Sequence, residues 1–258
     1  MATAAIALLA GGDPATALRL GGSMVALQAS IGALNDIVDA GSDTDRKPGK
    51  PIPAGLVSRT QARFVVLLAA GVGLLLAVVS GPALLGLAIV VLAVGYGYDL
   101  HAKGTPWSWL PFAIGIPLLP VFGWLGVTGS LPPSFGVLLP AAVAAGAGLA
   151  IGNARADRER DLDAGLDSVA IRLGLGRAWG VEAALLGAVA VVALGSLLVR
   201  GTASGALAST VGAAAIVAAG LAWGRDGSAE RRERGWELES IGVALLAAAW
   251  LAGYGGFE

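Results

Sequence analysis

With 56% hydrophobic and only 14% charged residues in 258, a formal net charge of −1 and a mean hydropathy of +0.76, the chain is neither a soluble globular domain, where roughly a quarter of residues are charged, nor a basic nucleic-acid-binding surface. The absence of Cys excludes disulfides, thiolate nucleophiles and cysteine metal sites, and a histidine-based site has only His101 to draw on. The 40 glycines lie within Ala-rich apolar runs, the composition of membrane helices whose backbones approach closely.

In chain order, Ala2–Ala10 is apolar but reaches only about half of a hydrocarbon core roughly 30 Å thick. It lacks the basic flank of a signal peptide and is expected to be the end of a first helix that begins before it. Eight longer apolar stretches follow, each near the 20 or so residues that a spanning helix needs. They are Ala15–Asn35, Ala62–Val79, Pro82–Tyr98, Trp107–Val127, Pro133–Asn153, Ala178–Val199, Gly201–Trp223 and Leu238–Tyr254. The pattern predicts an all-α, polytopic membrane helical bundle without strands, forming one domain over residues 1–258. Trp107, Trp109, Trp124, Trp223, Trp236 and Trp250 fall near helix ends and are expected to anchor at the interface.

The loops sort by charge. Of the 17 Lys and Arg, all except Arg19 and Arg200 lie in every second connection. The positive-inside rule assigns those connections to the cytoplasmic side of a multi-pass cell-membrane protein. Arg231–Arg234 is expected to be a loop facing anionic headgroups. The acids follow the same loops, and none is expected mid-helix.

Two acidic clusters occupy equivalent places. Asn35, Asp39 and Asp43, with Asp36, follow the first long stretch; Asn153, Asp157 and Asp161 follow the fifth. Both repeat Asn-x3-Asp-x3-Asp, which puts the three residues on one face of a helix. Unpaired, so many carboxylates would repel one another; Mg²⁺ resolves this, because it takes oxygen ligands and is held by few carboxylates plus substrate phosphates. Arg46, Lys47, Lys50, Lys103 and Arg172 could hold the phosphate oxygens. The implied ligand is a lipid diphosphate, most simply a prenyl diphosphate.

These residues resemble the UbiA superfamily of intramembrane prenyltransferases. The segment NDIVDAGSD and the later KPIPAG (Lys50–Gly55) are similar to that family's NDxxDxxxD segment and its Pro-rich stretch. Asn153–Gly174 is similar to its DxxxD segment, including Gly165, Ser168, Arg172 and Gly174. Tyr98–Pro111 resembles its Tyr/Lys loop. The resemblance implies nine helices, the first one short here, around a central cavity, with Mg²⁺ held through the diphosphate by Asn35, Asp39, Asp157 and Asp161. Asp36 and Asp43 match the motif as further metal ligands, and Asn153 as a diphosphate contact. It also implies that Lys103 assists the diphosphate and that Tyr98 lies near the reacting carbon, where its ring can face a developing allylic cation. Arg172 is either a phosphate ligand or a headgroup contact, and His101 a solvated loop residue. The chain departs from the family at Lys50, where members carry Arg, and at Ala154, where many carry Asp. Met1–Ala10 holds no basic residue to meet an acceptor carboxylate.

The implied activity is transfer of a prenyl group to an aromatic or lipophilic acceptor from a quinone, lipid or tetrapyrrole pathway. Two rivals keep the same residues: a membrane terpene cyclase working without acceptor, and a cation-binding transporter. The second is disfavoured by the expected absence of acids mid-helix.

Overall fold

The computed structural model describes residues 2–46 and 49–253, with side chains for all of these except 42–46. Among the described residues every regular element is helical. Helix α1 is Ala2–Leu9, α2 Pro14–Arg46, α3 Arg59–Val78 and α4 Pro82–Gly97, which runs into a π-helical turn, Tyr98–Ala102. Then come α5 Leu110–Thr128, α6 Phe135–Ala156, α7 Arg158–Asp163, α8 Val169–Leu173, α9 Leu175–Val199, α10 Ser204–Trp223 and α11 Ala229–Gly253. Eight of these are long and apolar enough to cross a membrane, and α1, at 8 residues, is not.

The chain is thus a multi-pass membrane protein, and its outward faces agree. Leu67 (72% exposed) and Val191 (70%) are among many large apolar side chains that point away from the protein, a surface suited to lipid and not to water.

Local signals set the helix starts. Asp13 accepts from the backbone N–H groups of Ala15 and Thr16 at 2.9 and 3.0 Å, just ahead of Pro14. This cap satisfies donors that a helix start leaves orphaned. Ser58 and Gln61 form a reciprocal capping box at α3.

Two boundaries differ from the sequence expectation. Helix α2 does not stop at Asn35 but continues to Arg46, because the polar segment contains no proline before Pro48. At 33 residues it is roughly 50 Å long, well beyond the hydrocarbon core, so the first acidic cluster is helical. Helix α11 begins at Ala229, so Arg231–Arg234 is a helical turn and not a loop, and Arg232 within it is buried.

The chain forms two compact units. The first comprises Met1–Ala102 and Leu118–Leu131, and the second Lys103–Pro117 and Pro132–Glu258. In the first, α2 lies against α3, with Ser23 donating to the Gly73 carbonyl and Ser30 to that of Val66, both at 2.7 Å. Leu20, Leu27, Leu84 and Phe122 are fully buried in its core. In the second, α6 packs on α9, and α10 on α11. Its tryptophans correct the belt expectation. Trp236 donates to the Leu149 carbonyl at 2.9 Å and Trp250 to Ser196 Oγ at 2.7 Å, so their indoles tie helices together. Trp124, in the first unit, is buried as well, whereas Trp107 and Trp223 are exposed as anchors would be.

Helices α10 and α11 approach closely at Gly220. A Cβ there would sit 2.6 Å from the Gly235 carbonyl oxygen and 2.9 Å from the Glu239 nitrogen, both backbone atoms that cannot rotate away. Gly220→Ala should therefore cost about 1–3 kcal/mol, seen as a lower unfolding temperature in detergent. Gly212→Ala, with open space at the same helix, should be neutral or stabilising. Equal midpoints for the two variants would contradict this packing.

Candidate active site

The first cluster lies near the end of α2, with Asn35, Asp36 and Asp39 half-buried. One turn earlier Ile31 meets Gly95 of α4, where a Cβ would stand 2.3 Å from the Ile31 side chain. This close contact carries to the next turn of each helix. There the Asn35 side-chain amide donates to Asp99 Oδ1 at 2.9 Å. Asp99 is buried and lies in the π-helical turn, a feature frequent at functional sites. The contact commits Asn35's nitrogen to Asp99 and leaves its Oδ1 as the atom able to meet a cation. Sequence reasoning missed Asp99. The available signal was an acid next to Tyr98 at the end of an apolar run.

Asp36 is ion-paired with Lys50 at 2.9 Å. The expected metal ligand and the expected diphosphate contact are therefore partners here, and their charges offset each other. Lys47 and the side chains of Asp43 and Arg46 lie outside the described residues.

Tyr98 opens the π-helical turn and is half-buried, as is Lys103 just after it, while His101 is exposed as a solvated loop residue would be. In the second unit the carbonyl of Gly104 accepts from the Asp167 N–H at 3.1 Å. The loop that starts at Lys103 is thereby tied to the chain following the second cluster.

That cluster spans a helix junction. Helix α6 ends at Ala156, and Asp157 caps it before α7 begins. The i to i−4 bonding nevertheless continues: Asp157 N–H donates to Asn153 O at 3.0 Å and Asp161 N–H to Asp157 O at 2.9 Å. The three residues stay one turn apart across the junction, as the spacing requires, and all are half-buried. The Asp157 carboxylate pairs with Arg160, which also reaches Glu233 at 3.7 Å. Gly165, at φ +67°, ends α7 with Leu166 N–H returning to Asp161 O at 2.9 Å. Arg172 is exposed and bound to Asp167, its Nε and Nη2 donating at 2.9 and 2.6 Å.

Sequence reasoning also missed a buried polar group in the second unit. Glu182 of α9 and Glu239 of α11 are fully buried inside spanning helices, which overturns the expectation that no acid sits mid-helix. Glu239 meets Glu182, and Glu182 is paired with the buried Arg155 at 2.5 Å. Such mutual partnering is how ionisable groups persist inside a membrane.

Among the described residues no three His, Asp or Glu side chains gather into a cage for a bare ion. Each cluster instead offers amide and carboxylate oxygens singly, one per turn. Those hard donors fit Mg²⁺, which keeps several waters and is bound through one or two carboxylates plus substrate phosphates.

Fold and site together define a polytopic helical membrane protein with paired acidic motifs at helix ends. The chain belongs to the UbiA prenyltransferase family, whose model matches residues 1–238. It is 32% identical over 154 residues to a chloroplastic chlorophyll synthase of Oryza sativa subsp. japonica, a match covering 55% of this chain and 41% of that protein. It is 33% identical over 147 residues to a 4-hydroxybenzoate octaprenyltransferase of Serratia proteamaculans, covering 55% and 49%. A digeranylgeranylglyceryl phosphate synthase of Methanopyrus kandleri is 38% identical over 74 residues, covering 29% and 27%. The matches thus span less than half the length of each of these relatives. Among solved structures, an apo UbiA homologue from Aeropyrum pernix K1 superposes with a TM-score of 0.77 at 21% identity, covering 96% of this chain and 94% of that one. A UbiA homologue from Archaeoglobus fulgidus bound to GPP and Mg²⁺ superposes at 0.65 with 18% identity, covering 96% and 88%. Both share the fold.

The Asp167–Arg172 pair has a defined pH response. The hydrogen bond from Arg172, with its charge, holds the Asp167 carboxyl below its ordinary value of 3.8, and the same bond raises the guanidinium. A lowered carboxylate stabilises the fold above its ordinary titration range and loses that contribution as pH falls through the lowered value. Hydrogen exchange in residues 164–168, corrected for intrinsic rates, should therefore be flat from about pH 8 to 5 and rise only below 3.8. An Arg172→Met variant should exchange faster already at pH 8 to 5 and lose the rise below 3.8, because without the guanidinium Asp167 titrates alike in the folded and unfolded chain.

Proposed function

We propose that the chain catalyses Mg²⁺-dependent transfer of a prenyl group from a prenyl diphosphate to an aromatic or lipophilic acceptor, releasing diphosphate. The observation that carries this reading is the pair of Asn-x3-Asp-x3-Asp faces, each a one-turn ladder of oxygen donors at the end of an apolar helix. Family membership supports it, as do the names of the curated relatives and the GPP and Mg²⁺ bound to the Archaeoglobus homologue. Residues 1–258 act as one catalytic domain in this reading, and the charge of the loops supports a cytoplasmic position for the acidic helix ends in a cell membrane.

Asn35, Asp39, Asp157 and Asp161 would hold the metal, with Asn153 beside the diphosphate. Bound Mg²⁺ would neutralise the leaving diphosphate as the allylic carbon–oxygen bond breaks. Lys103 would add a positive charge toward the same oxygens, and the ring of Tyr98 would stabilise the allylic cation. The apolar helices hold the isoprenoid tail and keep water from that cation, so that the acceptor attacks instead and then loses a proton. Lys50 and Arg172 would reach phosphate only by exchanging Asp36 and Asp167 for it. The names of the relatives point to three acceptor chemistries: a tetrapyrrole, a glyceryl phosphate and a hydroxybenzoate.

The test is an assay in detergent with prenyl diphosphates of several lengths and these acceptor classes, products being read by mass spectrometry. Diphosphate release should require Mg²⁺ and acceptor, and Asp39→Ala and Asp157→Ala should fall to background. Tyr98→Phe should keep most activity. Tyr98→Ala should lose about 2 kcal/mol of cation stabilisation, roughly 30-fold in rate. Hydrocarbon products formed without acceptor would replace transfer by cyclisation. Full turnover by both aspartate variants would sink the reading.

A further inference from the structure

The second acidic cluster crosses an interruption between two helices, and that junction has its own support. Asp157, at φ −88° and ψ −2°, leaves helical geometry between α6 and α7. A helix interrupted in this way frees backbone carbonyls, which need donors in a membrane protein. One guanidinium meets both sides of the junction. Arg232 of α11 donates through Nε to the Arg155 carbonyl of α6 at 2.9 Å, and through Nη2 to the Glu159 carboxylate of α7. Its Nη1 is anchored on the Gly227 carbonyl at 2.6 Å. The side chain of Arg155 runs the other way, to Glu182 of α9 at 2.5 Å and to the carbonyls of Gly224 and Arg225 at 2.8 and 3.3 Å. Arg155, Glu182 and Arg232 are all buried.

We propose that Arg232, with Arg155 and Glu182 behind it, is a positioning residue that sets the angle between α6 and α7. That angle fixes where Asp161 of α7 stands relative to Asn153 of α6. The metal consequence rests on the function proposed above. None of the three is placed on the reacting groups, so their effect runs through the junction alone. A planar guanidinium with three committed donors satisfies them in one orientation only, which makes it a device for geometry. Buried ion pairs are a poor means of gaining stability compared with apolar packing, so their presence calls for another use.

The chain has no cysteine, so Leu162→Cys on α7 and Glu237→Cys on α11, both exposed, would carry the only two spin labels. Double electron–electron resonance then reads the placement of α7 directly. The variants are Arg232→Gln and the milder Glu159→Gln, whose side chain is 48% exposed and which decides the question if the first fails to fold. Glu230→Gln, at a surface pair on the same helix, is the control. The expected result is a single narrow distance in the parent and the control, and a broadened one in both variants. In parallel, the Mg²⁺ concentration for half-maximal diphosphate release should rise about tenfold, in the range found when groups behind metal ligands are removed, with a smaller change in limiting rate. A narrow distance retained in Glu159→Gln overturns the proposal, and so does a displaced α7 with an unchanged Mg²⁺ requirement. A parent enzyme that releases no diphosphate overturns the proposed function instead, and the distance measurement alone then judges the junction.

Discussion

Hydrocarbon does not tolerate an unpartnered charge, and this constraint organises the whole molecule. It clears charge from eight spans and gathers it at their ends. Where ionisable groups do enter a span, as Glu182 and Glu239 do, they are buried against one another and against Arg155. The same rule makes a chemical site out of the helix ends, because carboxylates crowded at the edge of an apolar phase need a cation.

The two clusters meet the need for ordered oxygen donors by different routes. On α2 the helix simply runs on beyond the membrane thickness, so Asn35 and Asp39 share a face of one continuous element. At the junction of α6 and α7 the helix breaks and yet keeps its i to i−4 bonds through Asn153, Asp157 and Asp161. The first depends on close packing one turn below, where Gly95 admits Ile31 and so brings Asp99 to Asn35. The second depends on arginines from other helices.

Much of this was legible in the sequence. The spans follow from apolar runs, and the ladder of each cluster follows from the helical repeat, which needs no tertiary information. Helix ends were less legible. The first long span reads as ending at Asn35 because polarity marks the membrane edge, yet nothing up to Arg46 stops the helix. Arg231–Arg234 read as a loop for the same reason, and Arg232 proved to be buried in a helix. Tryptophans near helix ends read as anchors, but Trp236 and Trp250 turn their N–H groups inward to other helices.

By itself the sequence determined the all-helical membrane class, the two donor ladders and the family to which the chain belongs. Composition and local periodicity decide the first two, and the family rests on the residues of its motifs; all of these are written in consecutive residues. Only the tertiary structure decided the partners: Asp99 for Asn35, Lys50 for Asp36, Asp167 for Arg172, and Arg232 for the junction at Asp157. The partners Arg155 and Arg232 stand 77 positions apart, and no local pattern links them. Their meeting depends on how α11 packs beside α6, which the summed contacts of many small side chains determine.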